Sequence, residues 1–228
     1  HSPLHLALVT GDLQVIKEMI EGGVSPDLLD NQSSAPIHLA AKHNFPKISK
    51  YLIDKGAQLN SLSLEGLSPL MYACQEGWIT NVTLLLHAGV DVNLKNPLNQ
   101  KTAIHYLIEK SETTLLQCLI DAGADINVED NCGNTPLMYA VNNERLNSVQ
   151  ILLKNGAAIN HRNQQGKTAL ILATKFKQIE ILKALVSHGA DVFLIDNEGN
   201  NVLHHATMNF WGNAKFLLHF FCETGLDI

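Results

Sequence analysis

Eleven histidines and four cysteines are the side chains of this 228-residue chain best suited to ligate a metal or act as nucleophiles. Their spacing argues against both. Cys74, Cys118, Cys132 and Cys222 lie far apart, without the close pairs of a zinc or redox site, and read as reduced thiols. His5, His38, His105 and His204 fall at one recurring place in the sequence. Equivalent side chains on packed helices stand roughly 8–10 Å apart, whereas zinc holds its nitrogen ligands at about 2.0–2.1 Å. His204 and His205 are sequence neighbours and so point to different helix faces. No glycine-rich phosphate loop, nucleophile elbow or carboxylate pair on one predicted helix face occurs. The expectation is a chain with no catalytic residue, no metal and no cofactor.

Composition narrows the class further. Hydrophobic residues make up 46% and charged residues 17%, so the chain buries a core and is not disordered. Sixteen Lys and Arg against 22 Asp and Glu give a net charge of -6, which argues against a nucleic-acid or anionic-membrane partner. No apolar run reaches the roughly 18 residues of a spanning helix, so no direct membrane insertion is expected. The start His1-Ser2-Pro3 carries no signal-peptide pattern. The expected location is the cytoplasm, with the nucleus as the alternative.

The elements that position these side chains repeat. Ser2-Pro3-Leu4-His5 is followed by Ala35-Pro36-Ile37-His38, Ser68-Pro69-Leu70-Met71, Thr102-Ala103-Ile104-His105, Thr135-Pro136-Leu137-Met138, Thr168-Ala169-Leu170-Ile171 and Asn201-Val202-Leu203-His204. Steps between the second residues are 33, 33, 34, 33, 33 and 33. Gly23, Gly56, Gly89, Gly123, Gly156, Gly189 and Gly225 form a second series in the same register. One domain over 1–228 is expected, with repeats at about 1–29, 30–62, 63–95, 96–129, 130–162, 163–195 and 196–228.

Each unit has a physical logic. A Ser or Thr before Pro caps a helix and starts it where the missing N–H costs nothing. In repeat three this predicts a first helix over 69–76 and a second over about 79–88, with Val82, Leu85 and Leu86 on one face. Gly89 then supplies the left-handed residue that ends a helix. Tips such as Asp130-Asn131-Cys132-Gly133 have turn chemistry. Ser33 and Gln100 replace the tip glycine, and repeat four carries one extra residue around Asn96-Pro97. The step from Gly189 to Gly225 is 36, which places three added residues near Phe210-Trp211-Gly212 or in the following helix. A helix pair of this kind buries its apolar face only against a neighbour.

The 33-residue period with Ser2-Pro3-Leu4-His5-Leu6-Ala7 and Gly123-Ala124-Asp125-Ile126-Asn127 resembles the ankyrin repeat family over essentially the whole chain. The resemblance implies an all-α ankyrin-repeat solenoid of stacked helix-turn-helix units with short β-hairpin fingers. It implies a framework role for the four repeated histidines, hydrogen-bonded between neighbouring repeats. It also implies a protein-interaction scaffold, monomeric by itself, that binds a protein or extended peptide in the concave groove and at the hairpin tips. The alternatives are a regulatory domain making intramolecular contacts in a larger enzyme, channel or toxin, and a methyl-lysine reader using Phe210 and Trp211. Neither end resembles a polar capping repeat, so the chain reads as a fragment of a longer array, with Leu4, Leu8, Phe216, Phe220 and Phe221 expected to be partly uncovered.

By that resemblance, the groove falls on positions that vary between repeats. These are Lys42 and His43; Leu64, Leu67, Gln75 and Glu76; Leu98, Lys101, Glu109 and Lys110; Asn142 and Asn143, with Asn131 and Asn134 on their hairpin; Lys167, Lys175 and Phe176, with Gln164; and Met208. Repeat six is basic, with Arg162, Lys167, Lys175, Lys177 and Lys183 against Glu180, and residues 1–30 are acidic. An amide-rich centre with cations beyond it suits a peptide carrying acidic residues towards repeat six. Tyr72, Tyr106 and Tyr139 share one slot and read as packing between repeats. Several ankyrin arrays are also substrates of an asparaginyl hydroxylase. Leu85…Asp91-Val92-Asn93 and Leu119…Asp125-Ile126-Asn127 match its pattern, which makes Asn93 and Asn127 candidates; the alternative is that these asparagines only brace the hairpin.

Overall fold

A computed structural model of the chain describes residues 3–110, 112–174 and 179–208. Contacts divide the chain into two compact units, His1–Asp125 and Ile126–Ile228. The first holds α1 (Pro3–Thr10), α2 (Leu13–Glu21), α3 (Pro36–Lys42), α4 (Pro46–Asp54), α5 (Pro69–Glu76), α6 (Ile79–His87), α7 (Ala103–Ile108) and α8 (Thr113–Asp121). The second holds α9 (Pro136–Asn142), α10 (Leu146–Lys154), α11 (Ala169–Ala173), α12 (Ile179–Ser187) and α13 (Val202–Met208). Among the described residues no helix is long and apolar enough to cross a membrane.

The helices form where the caps dictate. Ser68 Oγ accepts the Met71 N–H at 3.2 Å, Pro69 opens α5, and Thr168 does for α11 what Ser68 does for α5. Second helices end on glycines with positive φ, such as Gly89 at 79° and Gly189 at 90°. In the first unit α1, α3, α5 and α7 pack in a row, and α4, α6 and α8 form another. In the second unit α9, α11 and α13 form one row, with α12 against α10. The core lies between the rows: Ile37, Leu52, Leu70, Leu85, Ile104 and Leu119 in the first unit, and Leu137, Leu152, Leu170 and Leu185 in the second, all buried. Leu4 and Leu8 are 1% and 0% exposed, contrary to expectation, because they face α3; the outward Leu6 and Val9 are exposed instead. Phe216, Phe220 and Phe221 lie outside the described residues.

Polar groups bind one repeat to the next. The Ala35 N–H donates to His38 Nδ1 at 3.0 Å, so the ring proton sits on Nε2 and is donated to the Ser61 carbonyl at 2.9 Å. His5 reaches the Ser34 carbonyl at 3.1 Å in the same manner. His204 departs from that role: it is exposed and bonds to Asn201 of its own repeat. Trp78 Nε1 and Asn81 Nδ2 donate to the Lys42 and Ala40 carbonyls of the preceding first helix, at 3.0 and 3.3 Å. The Ala40 carbonyl also accepts the Phe45 N–H at 2.9 Å.

The fingers are turns rather than strands among the described residues. In each, the opening residue's N–H donates to the closing residue's carbonyl (Asp30 to Ser34, Ser63 to Leu67, Asn96 to Lys101, Asp130 to Asn134, Asn163 to Lys167 and Asp196 to Asn200), and its own carbonyl accepts an N–H from inside the turn. The fourth therefore holds its extra residue inside the turn. Ser33 and Gln100 adopt the left-handed conformation of the glycines they replace, with φ of 53° and 60°. At Gly66 the demand is steric as well, since a Cβ there would collide with the Asn96 side chain of the next finger.

Two outcomes are expected. Left-handed backbone costs a side chain roughly 1 kcal/mol, so Gln100→Gly should raise stability by about 0.5–1 kcal/mol in urea denaturation, and Gly66→Ala should lower it. Burial holds His38 below its ordinary 6.5, outweighing its bonds to Ser61 and Ala35. Its contribution is thus fully present above 6.5 and lost as pH falls from there through the lower folded value, because the unfolded chain takes up a proton that the folded one refuses. Stability measured from pH 7 down to about 5 should fall more steeply in the wild type than in His38→Gln.

Candidate functional site

The first-helix ends and finger tips carry the positions singled out in the sequence. In the first unit Lys42 ends α3 half-buried, with its ammonium 5.1 Å above the Tyr72 ring of the next repeat. His43 is exposed, its ring 6.2 Å from Phe45. Leu64 and Leu98 stand at finger tips, 61% and 65% exposed. Leu67 corrects the expectation: it is 5% exposed, because its N–H and carbonyl are both engaged by Ser63 and its side chain is closed into the finger's base. Gln75 and Glu76 are half-buried at the end of α5, and Glu109 and Lys110 are exposed just past α7. Lys101 Nζ lies 3.3 Å from Glu109 Oε1 and 5.5 Å from the centre of the Tyr106 ring.

The shared tyrosine slot is more than packing. Tyr72 Oη meets Ser63 Oγ at 3.2 Å and donates to Glu65 at 3.1 Å. Tyr106 Oη accepts from Asn96 Nδ2 at 2.9 Å, and Tyr139 donates to Asp130 Oδ2 at 2.8 Å. Each tyrosine thus pins the opening residue of its own finger. Burial pushes the Tyr72 hydroxyl above its ordinary 10.0. Burial also disfavours the Asp130 carboxylate, but the N–H groups of Asn134 and Cys132 and the Tyr139 hydroxyl outweigh it and hold the group below its ordinary 3.8. In repeat seven His205 takes the slot, 2.6 Å from Asp196 Oδ2.

Repeat six places Leu172 there, and a cleft of about 460 Å³ opens beside it. Its walls are Cys132, Asn134, Asn142, Asn163, Gln164, Gln165, Lys167 and Leu172. Four predicted residues of neighbouring repeats, Asn134, Asn142, Gln164 and Lys167, therefore meet at one site. Asn143 does not join them: its amide donates to the Tyr139 carbonyl at 2.9 Å and closes α9. Asn163, Gln165, Cys132 and Leu172 were not singled out; the interrupted tyrosine series was the signal for Leu172. The amides are held in place by Asn163 Nδ2 on Asn134 Oδ1 at 2.9 Å, Gln164 Nε2 on the Asn131 carbonyl at 2.8 Å, and Asn197 Nδ2 on the Gln164 carbonyl at 2.8 Å. Met208 is exposed at the end of α13. Lys175, Phe176, Lys177, Phe210 and Trp211 lie outside the described residues.

The remaining chemistry-bearing groups are structural. Asn93 Oδ1 accepts the Asp125 N–H at 2.8 Å and its Nδ2 donates to the Gly123 carbonyl at 3.0 Å, while Asn127 Oδ1 accepts the Ala158 N–H at 2.7 Å. Both candidate hydroxylation residues therefore brace the next repeat. Burial pushes the Cys74 thiol far above its ordinary range, so it makes a poor nucleophile. Arg162 bonds to the Gly166 carbonyl at 3.2 Å, and Lys183 pairs with Glu180 at 3.2 Å, so these two cations of the basic run are occupied. Donors, acceptors and one ammonium around a cleft suit recognition rather than bond breaking.

Known proteins share this fold. The family profile described as "Ankyrin repeats (3 copies)" matches residues 4–96, 79–163 and 155–228. The Gallus gallus nuclear factor NF-kappa-B p105 subunit is 34% identical over 61% of this chain, and the match spans 14% of that protein. Palmitoyltransferase ZDHHC17 of Danio rerio is 29% identical over 60% of the chain, which spans 22% of the enzyme. The crystal structure of the ankyrin repeat domain of Bcl-3, a member of the IkappaB protein family, superposes with a TM-score of 0.82 at 30% identity, covering 90% of this chain and 94% of that one. The chain is a member of the ankyrin repeat family.

Proposed function

We propose that this chain is a protein-interaction module whose finger tips and first-helix ends hold an extended segment of a partner protein. The observation that carries this reading is the cleft beside Leu172. Side-chain amides from two repeats line it with both donors and acceptors, which matches the alternating N–H and C=O groups of an extended backbone. Lys167 supplies a cation at its edge and favours a segment with a carboxylate. In the first unit the exposed Leu64 and Leu98 offer apolar contacts instead.

A second reading has the same surface make intramolecular contacts in a larger protein. It is supported by the palmitoyltransferase relative, in which the matched part spans 22% of the enzyme. Both readings use the same residues and differ in whether the bound segment lies in the same chain.

Screening the chain against a library of random extended peptides tests the shared claim. Acidic peptides should be enriched on the wild type, and Lys167→Glu should reverse that preference, with its effect on association strongest at low salt. A library that enriches no peptide, or an unchanged charge preference in Lys167→Glu, argues against it.

A further inference from the structure

Repeat four shows what repeat six lacks. There Asn96 opens the finger, Lys101 closes it, and Tyr106 fills the slot behind them. Asn96 Nδ2 donates one proton back to the Glu65 carbonyl of the preceding finger at 3.0 Å and the other to Tyr106 Oη at 2.9 Å. Lys101 lies between the Tyr106 ring, 5.5 Å away, and the Glu109 carboxylate, 3.3 Å away. The closing backbone bond of repeat six makes Asn163 the counterpart of Asn96, and Lys167 that of Lys101. Asn163 Nδ2 also donates one proton back, to Asn134 Oδ1 at 2.9 Å. Its second proton has no acceptor among the described residues, because Leu172 carries no hydroxyl. Lys167 has no aromatic ring or carboxylate beside it among the described residues, and the counterpart of Glu109 in the sequence is Lys175. Leu39 is a leucine in the same slot, but the buried Ser34 stands where Lys167 does.

We propose that the cleft beside Leu172 receives a tyrosine side chain of the partner, seated as Tyr106 is seated within its own repeat. The ring lies on Leu172 beneath the Lys167 ammonium, and the hydroxyl accepts the free proton of Asn163. The cleft's roughly 460 Å³ accommodates the ring together with the backbone that carries it. A carboxylate near the tyrosine in the partner takes the place that Glu109 holds on Lys101. The inference deepens the interaction reading by naming the residue that the surface selects, and it rests on that reading.

The test uses the full chain, labelled with ¹⁵N, and N-acetyl-tyrosinamide as the probe. Tyrosinamide should shift the side-chain amide signals of Asn134, Asn142 and Asn163, and N-acetyl-phenylalaninamide should shift Asn163 less for want of a hydroxyl. Leu172→Tyr should abolish the shifts by filling the slot from within and should raise the melting temperature. Should that variant fail to fold, Lys167→Gln serves instead and should weaken tyrosinamide binding about two- to five-fold, the size of an exposed cation–π contact. Unmoved amide signals, equal responses to the two probes, or undiminished binding in the variant that folds would overturn the proposal. If acidic peptides bind as expected and tyrosinamide does not, only the tyrosine pocket falls and the interaction reading stands.

Discussion

In both units one asparagine carboxamide after another crosses to the backbone of the next repeat. Asn60 accepts the Asp91 N–H at 2.9 Å, Asn93 that of Asp125 at 2.8 Å, and Asn160 that of Asp191 at 2.8 Å. The crossing answers a constraint set by helix length. The helices have five to nine residues, below the length at which a helix holds in water by itself. A lone pair would expose both its apolar faces and the backbone groups at its ends. Leu52, Leu85 and Leu119, 33 and 34 residues apart and all 0% exposed, show the apolar half of the solution. Truncating such a leucine costs about 2–5 kcal/mol, so each repeat's stability is largely held at its interfaces with its neighbours.

That constraint decides which side chains remain for a partner. The His5 and His38 rings, Asn81, Trp78 and the bracing asparagines are spent on backbone carbonyls and N–H groups of neighbouring repeats. A residue that matches its counterparts in other repeats is for this reason seldom available. Differences between repeats carry the information. Leu64 and Leu98 give the first unit apolar tips where Asn131, Gln164 and Asn197 give the second amide tips. Leu172 interrupts the hydroxyl-bearing slot and leaves space in place of a ring.

Caps and period were legible in the sequence because they are local. Ser68-Pro69 set the start of α5, and Gly89 follows the end of α6 closely enough that α6 runs one residue short of the expected span. Leu67 was misread because exposure of a finger residue depends on which way the closed turn directs it, and Ser63 decides that by binding its N–H. Leu4 and Leu8 were misread because their cover comes from α3, about thirty residues away in sequence. Among the described residues the fingers are turns rather than strands because each closes on itself within a few residues and Asp or Asn side chains take further N–H groups, as Asp30 does for Gln32 and Ser34. The cleft was hardest to foresee. Its signal is a ring absent from repeat six beside Asn163 and Lys167, whose counterparts Asn96 and Lys101 hold Tyr106 in repeat four.

The same geometry suits such a unit to holding an extended chain. Bond breaking needs groups converging to about 3 Å around one reacting atom. Equivalent residues of stacked helices stand roughly 8–10 Å apart and keep that separation, so framework histidines of neighbouring repeats such as His5 and His38 do not converge on one point. An extended peptide advances about 3.3 Å per residue, so about three of its residues pass each repeat. The spacing that prevents convergence therefore matches a chain laid across the fingers, with one side chain in three presented to each tip. On the proposed reading, that register brings a partner side chain first to Asn142, then to the slot of Leu172 under Lys167, two positions that differ in charge and shape from their counterparts. On that reading the unit selects a short pattern of polar and aromatic residues rather than a single reactive group.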